Sequence, residues 1–150
     1  MSSAMNFELR NVRESDFDWL YYLRSQTMLT YINDSGGRFD LESQSGRITL
    51  AYDSIKIVTS GNQDIGMFKV TRGSDNWEIV QIQILPDYQH MGIGTELIRN
   101  LQEEASQQGI TLSLSVLKVN PAKRLYERLG FEVVQEKEKS YTMRYTSKSA

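Results

Sequence analysis

The chain has 150 residues, 39% of them hydrophobic, a formal net charge of −2, a single histidine, His90, and no cysteine. That composition excludes disulfides, thiolate metal sites and histidine metal clusters, and it supplies no basic field for nucleic acid. Apolar runs fall short of the roughly 20 residues a bilayer span needs, and Met1 to Arg10 shows no basic region followed by an apolar stretch, so a cytoplasmic, metal-free protein is expected.

No Pro/Gly/Ser-rich stretch divides the chain, and one domain over residues 1–150 is expected, with 147–150 frayed. Asn6 to Val12, where Phe7 and Leu9 alternate with Glu8 and Arg10, reads as a strand. Ser15 or Asp16 then caps a helix carrying Phe17, Leu20, Tyr21 and Arg24 at helical spacing. Met28 to Ile32 continues that helix or breaks it before a glycine-rich loop, Asn33 to Gly37. Asp40 to about Tyr52 is a weak helix, because Leu41, Ile48 and Leu50 fit the period loosely and Gly46 costs about 1 kcal/mol relative to Ala. Ile55 to Thr59, Ile65 to Thr71 and Trp77 to Leu85 are strands joined by the turn-rich links Gly61 to Asp64 and Gly73 to Asn76, which predicts an antiparallel meander.

From Ile93 the apolar stripe Leu97, Ile98, Leu101 and Ala105 opposes Glu96, Asn100, Glu103 and Glu104, an amphipathic helix closed by Gly109. Leu112, Leu114 and Val116 alternate with polar residues as a strand. Asn120 and Pro121 supply N-cap and first helical position for a helix ending at Leu129-Gly130. Phe131 to Gln135 and Tyr141 to Tyr145 read as a closing hairpin.

The segment with the clearest chemical content is Ile82 to Thr95, IQILPDYQHMGIGT. A strand ending in a glycine-punctuated turn that opens a helix leaves backbone N–H groups unpaired at the positive end of the helix dipole, which suits a pyrophosphate. A Walker-type loop would need Lys and Ser/Thr after its last glycine, whereas Thr95 and Glu96 follow Gly94. A dinucleotide fingerprint would need a third glycine where Leu97 stands.

What remains, Gln89-x-x-Gly92-x-Gly94 after a strand, resembles the acetyl-CoA-binding motif of the GNAT family of N-acetyltransferases. Leu114 to Phe131, a strand, Asn120, a helix carrying Tyr126 and then Gly130-Phe131, is similar to the family's second signature. The resemblance covers Ile55 to Tyr145, and the first fifty residues match only in general layout. It implies an α/β (α+β) fold with a mixed, largely antiparallel central sheet of about seven strands flanked by about four helices.

The resemblance also implies roles. Gln89, His90, Met91, Gly92, Ile93, Gly94 and Thr95 would contact the pyrophosphate of acetyl-CoA, chiefly through main chain. Ile82, Gln83 and Ile84 would bind its pantetheine arm and thioester carbonyl. Asn120 would hydrogen-bond the same arm in addition to capping its helix, and Lys123 and Arg124 would lie near the adenine end and meet the 3′-phosphate, or else form a solvated helix face. Tyr126 would be the general acid toward the leaving thiolate, or else a core tyrosine, since Ala122, Leu125, Tyr126 and Leu129 form a helical stripe. Glu78 stands where histone-acetylating members carry a general base; the alternative is an edge glutamate that solvates the sheet. A base is needed because an amine of pKa about 10.4 is nucleophilic in only roughly one molecule in 2,500 at pH 7.

Tyr21, Tyr22, Tyr31 and the loop Asn33 to Phe39 fall in the region that covers the acceptor pocket in the family, and Asp34, Asp40 and Asp53 would attract a cation. The expected activity is direct transfer of acetyl from acetyl-CoA to a primary amine, of a small molecule in preference to a protein lysine or N-terminus. No cysteine is present to carry a covalent intermediate. The alternative of another class is a non-catalytic acyl-CoA-binding module. Expected partners are acetyl-CoA and an amine, with no nucleic acid, membrane or metal; a homodimer stays open.

Overall fold

The computed structural model describes residues 6–147. The frayed tail expected at 147–150 therefore lies outside the described residues save for Ser147, as do Met1 to Met5. Seven strands and four α-helices follow one another as β1 (Glu8–Asn11), α1 (Phe17–Asp34), α2 (Leu41–Thr49), β2 (Ile55–Ser60), β3 (Gln63–Arg72), β4 (Asn76–Ile84), α3 (Ile93–Gln107), β5 (Thr111–Leu117), α4 (Lys123–Arg128), β6 (Glu132–Glu136) and β7 (Ser140–Tyr145). The strands make one sheet ordered β1-β2-β3-β4-β5-β7-β6. Its β1–β2, β2–β3, β5–β7 and β6–β7 pairs are antiparallel, and β4–β5 is parallel. This is the mixed α/β architecture with seven strands and four helices that the two motifs implied.

The chain divides into two compact units, residues 1–69 with 81–94, and residues 70–80 with 95–150. In the first, Leu20, Leu23, Ile48, Ile55, Ile57 and Met67 form a buried core against which Phe17, Trp19, Tyr21 and Tyr52 pack. Its edge is fixed by charge: Arg10 pairs with Asp16 at 2.9 Å and with Asp64 at 3.0 Å. The Asp16 carboxylate also accepts the Arg13 N–H, and the Arg10 hydrogen bond holds it below the usual carboxylate range. Asp16 is thus tied into this pair instead of capping α1 with its side chain.

α1 runs unbroken through Met28 to Ile32 and takes in Asn33 and Asp34, two residues expected in the loop. The helix persists because its stop signal lies further on: Gly36 adopts φ +85°, and the Gly36 and Gly37 N–H groups donate to the carbonyls of Asn33 and Ile32. α2 is capped by Asp40, whose carboxylate accepts the Ser43 N–H at 2.8 Å. It ends at Thr49, a turn earlier than expected. The β2–β3 link is also tighter than expected, a two-residue turn of Gly61 and Asn62, with Gly61 at φ +62°.

In the second unit Leu97, Ile98, Leu101 and Ala105 of α3 are buried, as are Leu112, Leu114 and Val116 of β5, in the pattern the sequence predicts. The Gln102 side chain donates to the Leu129 carbonyl at 2.7 Å, tying α3 to the end of α4. α4 begins at Lys123, later than expected. The Asn120 side chain accepts the Ala122 N–H and the Pro121 carbonyl accepts the Arg124 N–H, so the segment enters the helix through a tight turn.

Candidate active site

β4 is the backbone of the candidate site. Its parallel ladder with β5 runs from Asn76↔Thr111 to Ile79↔Leu114, and the strand continues past the last of these pairs to Ile84. Main-chain groups past the end of a ladder must find other partners. In the first unit, this continuation carries Gln81, Ile82, Gln83 and Ile84, with Gln83 and Ile84 buried. β3 approaches it so closely at Gly66 that no side chain fits there. The strand leaves the sheet at Leu85, whose N–H donates to the Ile65 carbonyl at 2.8 Å.

Pro86 then starts a single 3-10 turn, and the loop is pinned at two points. The Tyr88 hydroxyl donates to Gln63 Oε1 at 2.8 Å, and Gln89 Nε2 donates to the Ile84 carbonyl at 2.8 Å. The Gln89 side chain therefore holds the loop to the strand end. His90 and Gly92 take left-handed conformations, φ +65° and +84°, and turn the exposed loop into α3. A Cβ on Gly92 would meet nothing within 4 Å, and one on Gly94 only Ile82 Cδ1 at 3.9 Å. Packing inside the protein does not demand glycine at Gly94. Ile93 is buried and anchors a 15-residue helix whose first N–H groups have no intrahelical acceptor, so the loop presents a main-chain donor cradle at a positive helix end.

In the second unit, Glu78 is exposed on β4 opposite Ser113. Thr95 is half-buried in the first turn of α3. Tyr126 is 8% exposed, edge-on to Phe131 at 6.1 Å, and burial pushes its pKa up to about 12. Its hydroxyl has no hydrogen-bond partner among the described residues, and no fully enclosed side-chain polar atom there lacks one, so this hydroxyl opens onto accessible space. Lys123 pairs with Glu127 at 2.9 Å and lies 5.0 Å from the Tyr141 ring centroid. The glutamate hydrogen bond raises its pKa.

Two features escaped sequence reasoning. Gly66 carried a signal, an isolated glycine inside a strand pattern, which marks close backbone approach. The other is a buried cationic group in the first unit. Lys69 is fully buried, and its ammonium donates to the carbonyls of Arg47, Ile48 and Leu50 at the end of α2. Burial, with the Arg24 charge second, lowers its pKa to about 8. The same Arg47 carbonyl accepts from Gln81 Nε2 at 3.2 Å, which fixes α2 against β4 one residue before Ile82. Among the described residues no group of three or more His, Asp and Glu could hold a metal ion.

Comparison with known proteins places this arrangement. Residues 44–133 match the family described as acetyltransferase (GNAT) domain. The chain is 29% identical over 140 residues to the [ribosomal protein bS18]-alanine N-acetyltransferase of Haemophilus influenzae, covering 89% of this chain and 86% of that protein. Its fold is similar to that of PaiA N-acetyltransferase from Thermoplasma acidophilum, solved in complex with coenzyme A (TM-score 0.73, 16% identity, 95% of this chain and 100% of that one). It is also similar to that of Arabidopsis thaliana Naa50, solved with the bisubstrate analogue CoA-Ac-MVNAL (TM-score 0.68, 18% identity, 94% and 99%). With its family match spanning β4, the glycine loop, α3 and α4, the chain belongs to the GNAT acetyltransferase family.

Proposed function

We propose that the protein transfers the acetyl group of acetyl-CoA to the primary amine of a small molecule, with both substrates bound together. The observation that carries this reading is the loop from Gln89 to Gly94, a main-chain cradle in which Gly94 has room for a side chain that it does not carry. Room left open on the protein side suits close approach of a pyrophosphate. The N–H groups of Gly92, Ile93, Gly94 and Thr95 would bind that pyrophosphate, and main chain of Ile82 to Ile84 would hold the pantetheine arm. The family resemblance assigns cofactor contacts to Asn120 and Lys123 as well.

The amine nitrogen attacks the thioester carbonyl carbon, the C–S bond breaks, and the thiolate leaves with a proton. Glu78, directly or through a water, would take the proton released by the amine. Tyr126 would return one to sulfur; its burial keeps the hydroxyl protonated throughout the neutral range, so it donates only to a thiolate hydrogen-bonded to it. With no cysteine in the chain, no thiol carries an acyl intermediate.

A second reading, acetylation of a protein N-terminus, is favoured by one observation, the acceptor in the name of the 29% identical relative. Thiol release from acetyl-CoA across a panel of small amines, lysine peptides and peptides beginning with alanine tests both. Turnover with small amines is expected. Turnover confined to alanine peptides would replace this reading by the second, and acetyl-CoA binding without any turnover would make the protein a binding module.

A further inference from the structure

Arg24 lies on α1 in the first unit and is 5% exposed. Its Nε donates to Gln44 Oε1 at 2.7 Å, and Gln44 in turn donates to the Arg38 carbonyl at 2.7 Å, so the guanidinium is held in place by a neutral amide. Neither terminal amino group has a hydrogen-bond or ion-pair partner among the described residues. Since no fully enclosed polar side-chain atom there lacks a partner, these two groups reach accessible space.

A guanidinium taken out of water ordinarily has a carboxylate beside it, because removing its hydration costs far more than an amide returns. Here the nearby charges are of the same sign. Arg47 lowers the Arg24 pKa after burial, to about 10, and Arg24 acts likewise on Lys69. Three acids of the first unit are engaged elsewhere: Asp16 and Asp64 hold Arg10, and Asp40 holds Arg38 and the Ser43 N–H. The cluster has a direct link to the reaction strand, since the Arg47 carbonyl that takes Lys69 also takes Gln81, next to Ile82.

We propose that Arg24, with Arg47 beside it, is an anion subsite for the acceptor, so that the preferred amine is a small molecule carrying a carboxylate or phosphate group. This rests on the acetyltransferase reading above. The planar fork of Arg24, with both terminal amino groups available, matches two oxygens of such a group. A neutral amine would leave the guanidinium buried and unpaired.

The experiment pairs acceptors that differ only in the anion: an α-amino acid against its decarboxylated amine, and O-phosphoethanolamine against ethanolamine, the two pairs separating carboxylate from phosphate. For each, kcat/KM for thiol release and the rise in Tm at saturating CoA are measured in wild type, Arg24→Lys and Arg47→Ala. The anionic member of at least one pair should be favoured roughly 10- to 100-fold. Arg24→Lys should bring that ratio close to one, while its calorimetric affinity for acetyl-CoA stays as in wild type. Arg47→Ala, at an exposed position, should reduce the ratio without changing the fold.

Neutral amines used or bound as well as anionic ones would overturn the subsite while leaving the acetyltransferase reading intact. So would an undiminished preference in both variants, or acceptance confined to peptides. Absence of acetyl-CoA binding by the wild-type protein would instead overturn the acetyltransferase reading itself.

Discussion

A Cβ built on Gly66 would sit 2.6 Å from the backbone oxygen of Gln83. It would also lie 2.7 Å from Ile84 Cδ1, so β3 and β4 touch here at the limit that backbone allows. The contact sets where the main chain of β4 runs just before the glycine loop.

Gly66→Ala should therefore displace Gln83 and Ile84. The expected loss is about 1–3 kcal/mol of stability in urea unfolding, as for other overpacked sites. A weaker acetyl-CoA affinity by calorimetry should accompany it, because the displaced carbonyl belongs to the strand assigned to the pantetheine arm. A variant as stable as wild type would show that the strands can part without cost.

Gly94→Ala separates ligand from fold. The new methyl would make only an ordinary contact with Ile82, and Gly94 has no left-handed torsion to strain. Its Tm without ligand should match wild type while acetyl-CoA affinity falls by roughly tenfold or more, a loss of about 1.4 kcal/mol or more. Undiminished affinity would remove Gly94 from the cradle. Gly92→Val differs, since φ +84° penalises a β-branched residue even without a ligand.

Tyr126→Phe should lower kcat about 10²-fold with little change in acetyl-CoA affinity. Phe131 continues to meet the ring edge-on, so the core survives the loss of the hydroxyl. A wild-type rate would return Tyr126 to the alternative of a core tyrosine.

Glu78→Gln should move the acidic limb of the kcat/KM–pH profile and lower the plateau. The exposed position opposite Ser113 makes the change structurally mild. If limb and plateau both stay in place, the proton leaves the amine by another route.

The fold's stability should depend on pH through Lys69. Its pKa falls from 10.5 to about 8 on folding, so between these values the unfolded chain holds a proton that the folded chain has released. Stability from this group is lowest below about pH 8 and rises toward about pH 10.5. Urea unfolding between about pH 7 and 10 should show that rise in wild type and lose it in Lys69→Met. Parallel pH profiles for the two proteins would refute the assignment. Tyr126, whose pKa goes the other way, from 10 to about 12, opposes the trend only above that window.

The legibility of these features in the sequence followed how local their causes are. α3 could be read to its closing Gly109 because its stripe, its helix-opening glycines and its stop signal all lie within one segment. The glycine turn that opens α3 was legible for the same reason. The end of α1 was misplaced because Asn33 and Asp34 carry loop-forming side chains while the signal that decides, Gly36, comes later. Lys69 looks like a polar interruption of an apolar strand, and its partners are three backbone carbonyls, two from α2 and one from Leu50 just past its end, which leave no trace in side-chain identity. Arg24 fell on the helical period of an apolar stripe, a sign of burial, but that Gln44 would be the only hydrogen-bond partner of its side chain among the described residues depends on how α1 meets α2.

The enclosure of Lys69 also bears on chemical self-damage. An enzyme that handles an activated thioester exposes its own amines to acylation, and the lysine most at risk is the one with the largest neutral fraction. At a pKa of about 8, roughly a tenth of Lys69 is neutral at pH 7. Complete burial keeps any acyl donor away from this nitrogen, so this amine is sheltered from the reagent the protein carries.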